Sequence, residues 1–235
     1  MSKTVILVTH HVSEHTDLGN RASSILGGRE FDLHWVHTPA GDPLPEPDET
    51  HAGAIVFGGA QDISEMDQHA FMKAEVDWIG RWAESGAPFL GICLGSQMLA
   101  HALGAPIGRH PDDIHEIGYY PVRPTDVGGD FIPDPFHVYH WHKEGVFDLP
   151  TTCTPLATGD DFPHQAFRYK DTAYGLQFHP EVTTDIMVRW LGEAGEALDR
   201  KGAHTHDRQI ADSGKYNTVM GDWFEGFLAR LFPSP

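Results

Sequence analysis

Four short apolar runs in the first hundred residues constrain this chain more than any other feature. Residues 4–9 (TVILVT), 31–37 (FDLHWVH), 54–57 (AIVF) and 88–92 (PFLGI) are too short for ordinary helices. They are bounded by Gly, Pro and polar residues. Three of them are nearly continuous in apolar residues, as strands buried on both faces are, and the second alternates. Between and after them, residues 18–26, 71–82 and 94–103 carry helical spacing, and Gly27-Gly28 and Gly104 end the first and third of these. Residues 39–50 hold four prolines and read as a loop. Strands alternating with helices imply a mostly parallel central sheet flanked by helices on both faces. Within 71–82, Glu75 interrupts a stripe of Phe71, Ala74, Trp78, Ile79 and Trp82, which predicts a core face with a wet edge.

The middle of the chain, residues 108–158, is rich in Pro, Gly, Asp and His, with strand-like runs at 117–122 and 152–158. It predicts antiparallel strands and loops added to the sheet. Residues 167–169 and 174–178 suit a hairpin around Lys170-Asp171. A helix is expected over 186–198, a polar loop over 200–217, and a last helix over 219–231. The expected fold class is therefore α/β, a mostly parallel sheet with an added antiparallel strand section. The 235 residues suit one domain over 1–235, closed by a helical extension over about 184–235.

Charge and composition exclude several classes of function. A formal net charge of -18 repels phosphates and argues against nucleic-acid binding. No apolar run approaches the roughly 20 residues that span a bilayer, so no membrane partner is expected. Residues 1–9 enter a strand directly, without the charged, apolar and small-residue regions of a signal peptide, and the expected location is cytoplasmic. Two cysteines, Cys93 and Cys153, make no disulfide framework.

The run FLGICLGSQ places Cys93 between a strand that stops at Ile92 and a helix that starts at Leu94, with Gly91 and Gly95 on either side. That is the arrangement of a nucleophile elbow with cysteine in place of serine. Glycines relieve the crowding of a sharp bend, and a helix N-terminus favours a thiolate. The N–H of Leu94 would face a developing oxyanion. A buried structural cysteine is the commoner fate of this residue type, but the flanking glycines at a strand-to-helix junction reverse that preference.

Downstream, YGLQFHPEV carries His179 and Glu181 two residues apart, on one side of an extended segment that Pro180 keeps from becoming helical. An imidazole there can take the thiol proton and return it to a leaving nitrogen, and a carboxylate can hold its tautomer. A surface histidine beside a solvated glutamate is the bland alternative, and the upstream elbow weighs against it.

GICLGSQ around Cys93 together with FHPE at residues 178–181 resembles the class I glutamine amidotransferases, and the likeness spans residues 5–182. It implies a flavodoxin-like fold, no cofactor and no metal. It also implies a glutaminase that cleaves a γ-carboxamide through a cysteine thioester and releases ammonia to an acceptor that the sequence does not identify. On this resemblance Cys93, His179 and Glu181 are catalytic, Gly59 and Leu94 form the oxyanion hole, and Gln97 and His142 border the substrate. The chain departs from the family at Ser96, where many members have His, and at Ala60, where Pro is commoner. At Trp141, in HWHKE, many members have Ser. The last departure opens an alternative substrate, a γ-glutamyl peptide, and the lack of a synthetase segment suggests a stand-alone member like the glutaminase domains of GMP synthases. A non-enzymatic regulatory module on the same fold is the other alternative. The expected partners are glutamine or a γ-glutamyl compound, with a synthetase subunit and a homo-oligomer left open.

Elsewhere, His137, His140 and His142 cluster, but without a His-x-x-x-His helix or Cys-x-x-Cys pair no metal is expected. His204 and His206 are expected to be solvated, as are Asp112, Asp113, Glu116, Asp126 and Asp130. Trp223, Phe224 and Phe227 should pack in the core, and Cys153 should be inert.

Overall fold

The computed structural model describes residues 2–10 and 20–234. The first half is built from strand and helix in turn: β1 (Thr4–Thr9), α1 (Asn20–Gly27), β2 (Asp32–His37), β3 (His51–Val56), α2 (Ala70–Ser85), β4 (Phe89–Ile92) and α3 (Leu94–Ala102). The expected start of the first helix at Leu18 lies outside the described residues. The second half adds β5 (Ile107–Arg109), β6 (Glu116–Pro124), β7 (Phe136–His142), β8 (Glu144–Val146), β9 (Cys153–Thr158), β10 (Ala166–Tyr169) and β11 (Ala173–Leu176). It ends in α4 (Thr184–Glu193) and α5 (His206–Leu231).

Nine strands form one sheet in the order β2-β1-β3-β4-β11-β10-β9-β6-β7, and β5 pairs with β8 apart from it. The members from β2 to β11 run parallel, and from β11 to β7 each neighbour is antiparallel. The strand β11 thus joins the two sections: it runs parallel to β4 and forms the expected hairpin with β10. Alternation along β1 feeds two cores. Val5 and Leu7 pack with Leu26, Phe224 and Leu228 under α1 and α5, while Ile6 and Val8 pack with Ile79, Trp82 and Met98 under α2 and α3. Each such fully buried large side chain contributes about 1.5–3 kcal/mol.

Five expectations are overturned, the first four at polar residues that prove to be buried or helical. Glu75 is fully buried, bonded to His10 and Thr38 rather than standing at a wet edge. Glu116 is buried among histidines, whereas Asp112, Asp113, Asp126 and Asp130 are exposed as expected. His204 is buried and stacks on Tyr120 with ring centroids 4.3 Å apart. Residues 206–217 of the expected loop are helical, the first half of α5, capped by the Thr205 hydroxyl on the Arg208 N–H. The helix expected over 186–198 is divided: α4 stops at Glu193, and a 3-10 turn (Gly195–Asp199) follows, opening on Gly195 at φ 50°.

Candidate active site

The strand β4 ends at Ile92 and α3 begins at Leu94, which leaves Cys93 alone at the bend with φ 51° and ψ -108°. A side chain in that region costs on the order of 1–3 kcal/mol and persists only if its surroundings hold it. Here the Cys93 N–H donates to the Leu176 carbonyl at 2.8 Å, and its own carbonyl accepts from the Gln97 N–H at 2.9 Å. The glycines on either side are required by space. A Cβ on Gly91 would lie 2.4 Å from the Gly95 oxygen, and one on Gly95 would lie 2.2 Å from the Val56 oxygen. Ser96 is buried against Gly175, where its hydroxyl occupies the space a Cβ would need.

His179 follows β11, and its N–H donates to the Tyr139 carbonyl at 2.8 Å. Its Nδ1 meets Glu181 Oε1 at 2.7 Å, both side chains being buried. Since a carboxylate only accepts, Nδ1 is the donor. The same ring stands close to Cys93: a Cβ on Gly58 would lie 2.8 Å from His179 Cε1 and 3.4 Å from Cys93 Cβ. Burial favours the neutral ring, but the Glu181 carboxylate and the Cys93 sulfur outweigh it, and the pKa of His179 is raised to about 10. A proton held on a ring beside the sulfur is placed for delivery to a leaving nitrogen.

Gly59 and Leu94 border one cavity of about 440 Å³ with Cys93, Gln97, Trp141 and His142. Gln97 Nε2 donates to the Glu144 carbonyl at 2.7 Å, so this side chain braces the wall of the cavity. His142 also borders it, but its ring nitrogens face the Glu144 carbonyl at 3.0 Å and Glu116 Oε2 at 2.9 Å. Asp62, Arg109 and Lys143 stand at the polar side, where Lys143 Nζ lies 2.8 Å and Arg109 Nη2 3.2 Å from Asp62 Oδ2. A second cavity of about 340 Å³ lies on the His179 side, lined by Phe57, Trp141, Trp190 and Glu181. Gly59, Ala60, Trp141 and Ala197 are shared by the two.

Behind His142 sits a buried cluster. His140 Nδ1 is 3.1 Å from His142 Nε2 and 3.5 Å from Glu116 Oε2, and Gln165 Nε2 donates to the same oxygen at 2.8 Å. Glu116, His140 and His142 are the group among the described residues whose donor atoms converge as metal ligands do. Burial works against the Glu116 charge, but His140, His142 and Gln165 outweigh it and hold its carboxyl down at about 2. Burial likewise pushes His140 down to about 3, toward the neutral ring. His137 lies apart, stacked on Tyr216 with centroids 4.2 Å apart. Cys153 is buried in β9, and burial pushes its thiol pKa up.

Several participants carry no local motif. Trp190 of α4 meets the His179 ring edge-on at 5.2 Å. Arg21 of α1 donates to the Pro180 carbonyl at 2.8 Å and to Asn217 Oδ1 at 2.6 Å, and Asn217 Nδ2 donates to the Val182 carbonyl at 3.0 Å. The segment from Pro180 to Val182 is thus clamped from α1 and α5. No apolar period in residues 206–217 marks Asn217, because the inner face of that helix is polar.

Known proteins resemble this chain in sequence and in fold. Residues 21–188 match the family model described as glutamine amidotransferase class-I. The glutamine amidotransferase-like protein YfeJ of Salmonella typhimurium is 28% identical over 212 residues, 86% of this chain and 87% of that protein. A glutamine-hydrolysing GMP synthase of Aquifex aeolicus is 29% identical over 80% of this chain, which spans 35% of that protein's length. The crystal structure of a glutamine amidotransferase from Thermotoga maritima superposes with a TM-score of 0.86 at 30% identity, each chain covered in full. No helix among the described residues is long and apolar enough to cross a membrane. The chain belongs to the class I glutamine amidotransferases, a family of cysteine-dependent, glutamine-hydrolysing enzymes.

Proposed function

We propose that Cys93 attacks the γ-carboxamide carbon of glutamine to form a γ-glutamyl thioester. The observation that carries this reading is the His179 ring, bonded to Glu181 at 2.7 Å and set beside a cysteine held at a positive φ, so that one Cβ on Gly58 would touch both residues. In the first step the sulfur bonds to carbon, and the carbonyl becomes an oxyanion stabilised by the N–H groups of Gly59 and Leu94. His179 then gives its proton to the departing nitrogen, the C–N bond breaks, and ammonia leaves. Water next gives a proton to His179 and attacks the thioester, the C–S bond breaks, and glutamate leaves behind the Cys93 thiolate and the protonated ring. The cations Arg109 and Lys143 suit the α-carboxylate, and Asp62 suits the α-ammonium. Gln97 and His142 keep the wall between them in place. Ammonia would pass to an acceptor on a synthetase subunit, as the likeness to GMP synthase suggests.

A second reading keeps this chemistry and changes the leaving group. His179, which protonates the departing nitrogen, opens on the cavity lined by Phe57, Trp141 and Trp190. Ammonia needs no such space, whereas the amine of a γ-glutamyl amide or peptide would fill it.

Ammonia release from glutamine by the wild type and by Cys93→Ala tests the first reading. Activity is expected only in the wild type, and equal activity in both would remove Cys93 from the reaction. A panel of γ-glutamyl amides then separates the two. Glutamine turned over far better than every amide would sink the second reading.

A further inference from the structure

The turn at Gly58-Gly59 has two glycines in succession, and little in the turn itself holds one peptide orientation. A side chain from outside the turn does so. His10, buried directly after β1, turns Nδ1 to the Gly58 carbonyl oxygen at 3.0 Å and Nε2 to Glu75 Oε1 at 2.9 Å. The other carboxylate oxygen of Glu75 accepts from the Thr38 hydroxyl at 2.8 Å. Both His10 nitrogens face acceptors, so both carry protons. Burial opposes the charged ring, but Glu75 and the Gly58 carbonyl outweigh it, and the pKa of His10 is raised. A carboxylate, an imidazolium and a hydroxyl buried together need one another's bonds, and among the described residues the bond that the ring sends outward goes to Gly58.

That bond sets the direction of the next N–H. In a planar trans peptide the C=O and N–H point opposite ways. A Gly58 oxygen drawn toward His10 turns the Gly59 N–H away from His10. The catalytic groups stand close around the turn. A Cβ on Gly58 would lie 2.8 Å from His179 Cε1 and 3.4 Å from Cys93 Cβ, and one on Gly59 would lie 2.9 Å from Leu94 Cδ2. We propose that His10, braced by Glu75, is a positioning residue that locks the Gly58-Gly59 peptide with its N–H facing the anion that forms at Cys93. The assignment rests on the reading of Cys93 as the nucleophile, and it adds a role for two residues remote from it in sequence.

Two reagents separate this role from plain structural support. A chloroketone analogue of glutamine reacts with a nucleophilic cysteine through a tetrahedral oxyanion, whereas iodoacetamide alkylates the same sulfur by direct displacement. The ratio of the two rates at Cys93, read by peptide mass spectrometry, reports the oxyanion donors. His10→Asn places an amide N–H where Nδ1 stood and loses the bond to Glu75. His10→Gln places one where Nε2 stood and loses the bond to Gly58. The ratio is expected to fall about 10²-fold in His10→Gln, the scale of one lost oxyanion donor, and to stay within about threefold of wild type in His10→Asn. Glutamine turnover should follow the same order, with kcat rather than KM carrying the loss. A ratio preserved in His10→Gln, or lost equally in both, overturns the assignment. Should His10→Gln not fold, His10→Ala carries the test: its ratio is expected to fall as far and to recover when imidazole is added, and a ratio kept without imidazole overturns the assignment. A wild type that reacts with both reagents but hydrolyses no γ-carboxamide would sink the proposed reaction and leave the anchor to stand or fall on the ratio.

Discussion

The bend at Cys93 and the paired strands β6 and β7 wall the same cavity, yet they are built in opposite ways. The bend is backbone against backbone: Gly91 approaches the Gly95 carbonyl, and Gly95 approaches the Val56 carbonyl, with no room for a methyl group between. The β6–β7 wall is side chain against side chain, with Glu116, His140, His142 and Gln165 buried and bonded to one another. Close packing of backbones admits no adjustment, so it demands particular residues at fixed spacing. A polar network demands only that every partner be present, and the partners come from anywhere in the chain.

The comparison predicts its largest loss of stability at Gly95. In Gly95→Ala the new carbon meets a carbonyl rather than the end of a flexible side chain, so the helix or β3 has to move. We expect a loss of about 4 kcal/mol or more, a melting temperature lower by about 10 °C, and hydrolysis reduced by at least ~10²-fold. Thermal melts and turnover measure both, and a variant within threefold of wild type would break the steric account.

Next comes Glu181→Gln, which spares the bend and disturbs only the charge behind His179. We expect kcat/KM to fall about 10³-fold. The sign of the pH effect follows from the raised pKa. His179 sits above its ordinary 6.5, at about 10, so its paired proton stabilises fully below 6.5 and is lost as pH rises toward 10. Without the carboxylate, burial is less opposed, and the alkaline limb of the kcat/KM profile should move to lower pH. A limb that stays put would belong to another group.

A smaller loss is expected from Glu116→Ala in the β6–β7 wall. Leaving His140 and His142 buried without their carboxylate should cost about 3 kcal/mol. In the wild type, Glu116 titrates at about 2 rather than 4.5. Its contribution is therefore complete above 4.5 and lost as pH falls toward 2, and denaturant melts of the two proteins should converge over that window. Parallel curves down to the lowest pH would show that the network does not hold the wall.

This difference in construction also explains what could be read from residue order. The grouping of Cys93, His179 and Glu181 was legible because each lies within a few residues of the glycines, the strand end or the proline that positions it. The parallel sheet was legible because its strands are continuous apolar runs. Glu75 and Glu116 were not, since the partners that permit their burial are His10 and Thr38 in one case and His140, His142 and Gln165 in the other. The first half of α5 failed for the same reason. Its polar residues Gln209, Ser213 and Asn217 are buried against the Tyr139 hydroxyl, the Thr184 hydroxyl and the Tyr119 hydroxyl, so a polar stretch that reads as solvated loop is a helix with a bonded inner face. Periodicity finds apolar faces, and a buried polar face leaves it no trace.

The smallest expected effect is that of a chelator, and it tests whether the network is complete in itself. Glu116, His140 and His142 converge as closely as ligands to a cation would, with separations of 2.9 to 3.5 Å. Hydrogen bonds already account for most of these contacts. Glu116 Oε2 faces His142 Nε2 and Gln165 Nε2, His142 Nδ1 faces the Glu144 carbonyl, and the His142 ring is covered edge-on by Phe162 with centroids 4.7 Å apart. A cation entering there would have to break the His142–Glu116 contact. Dialysis against a strong chelator is therefore expected to leave the melting temperature and the turnover unchanged. A stoichiometric divalent metal in the purified protein, with a melting temperature that falls when it is removed, would show instead that this wall needs an ion to hold its shape.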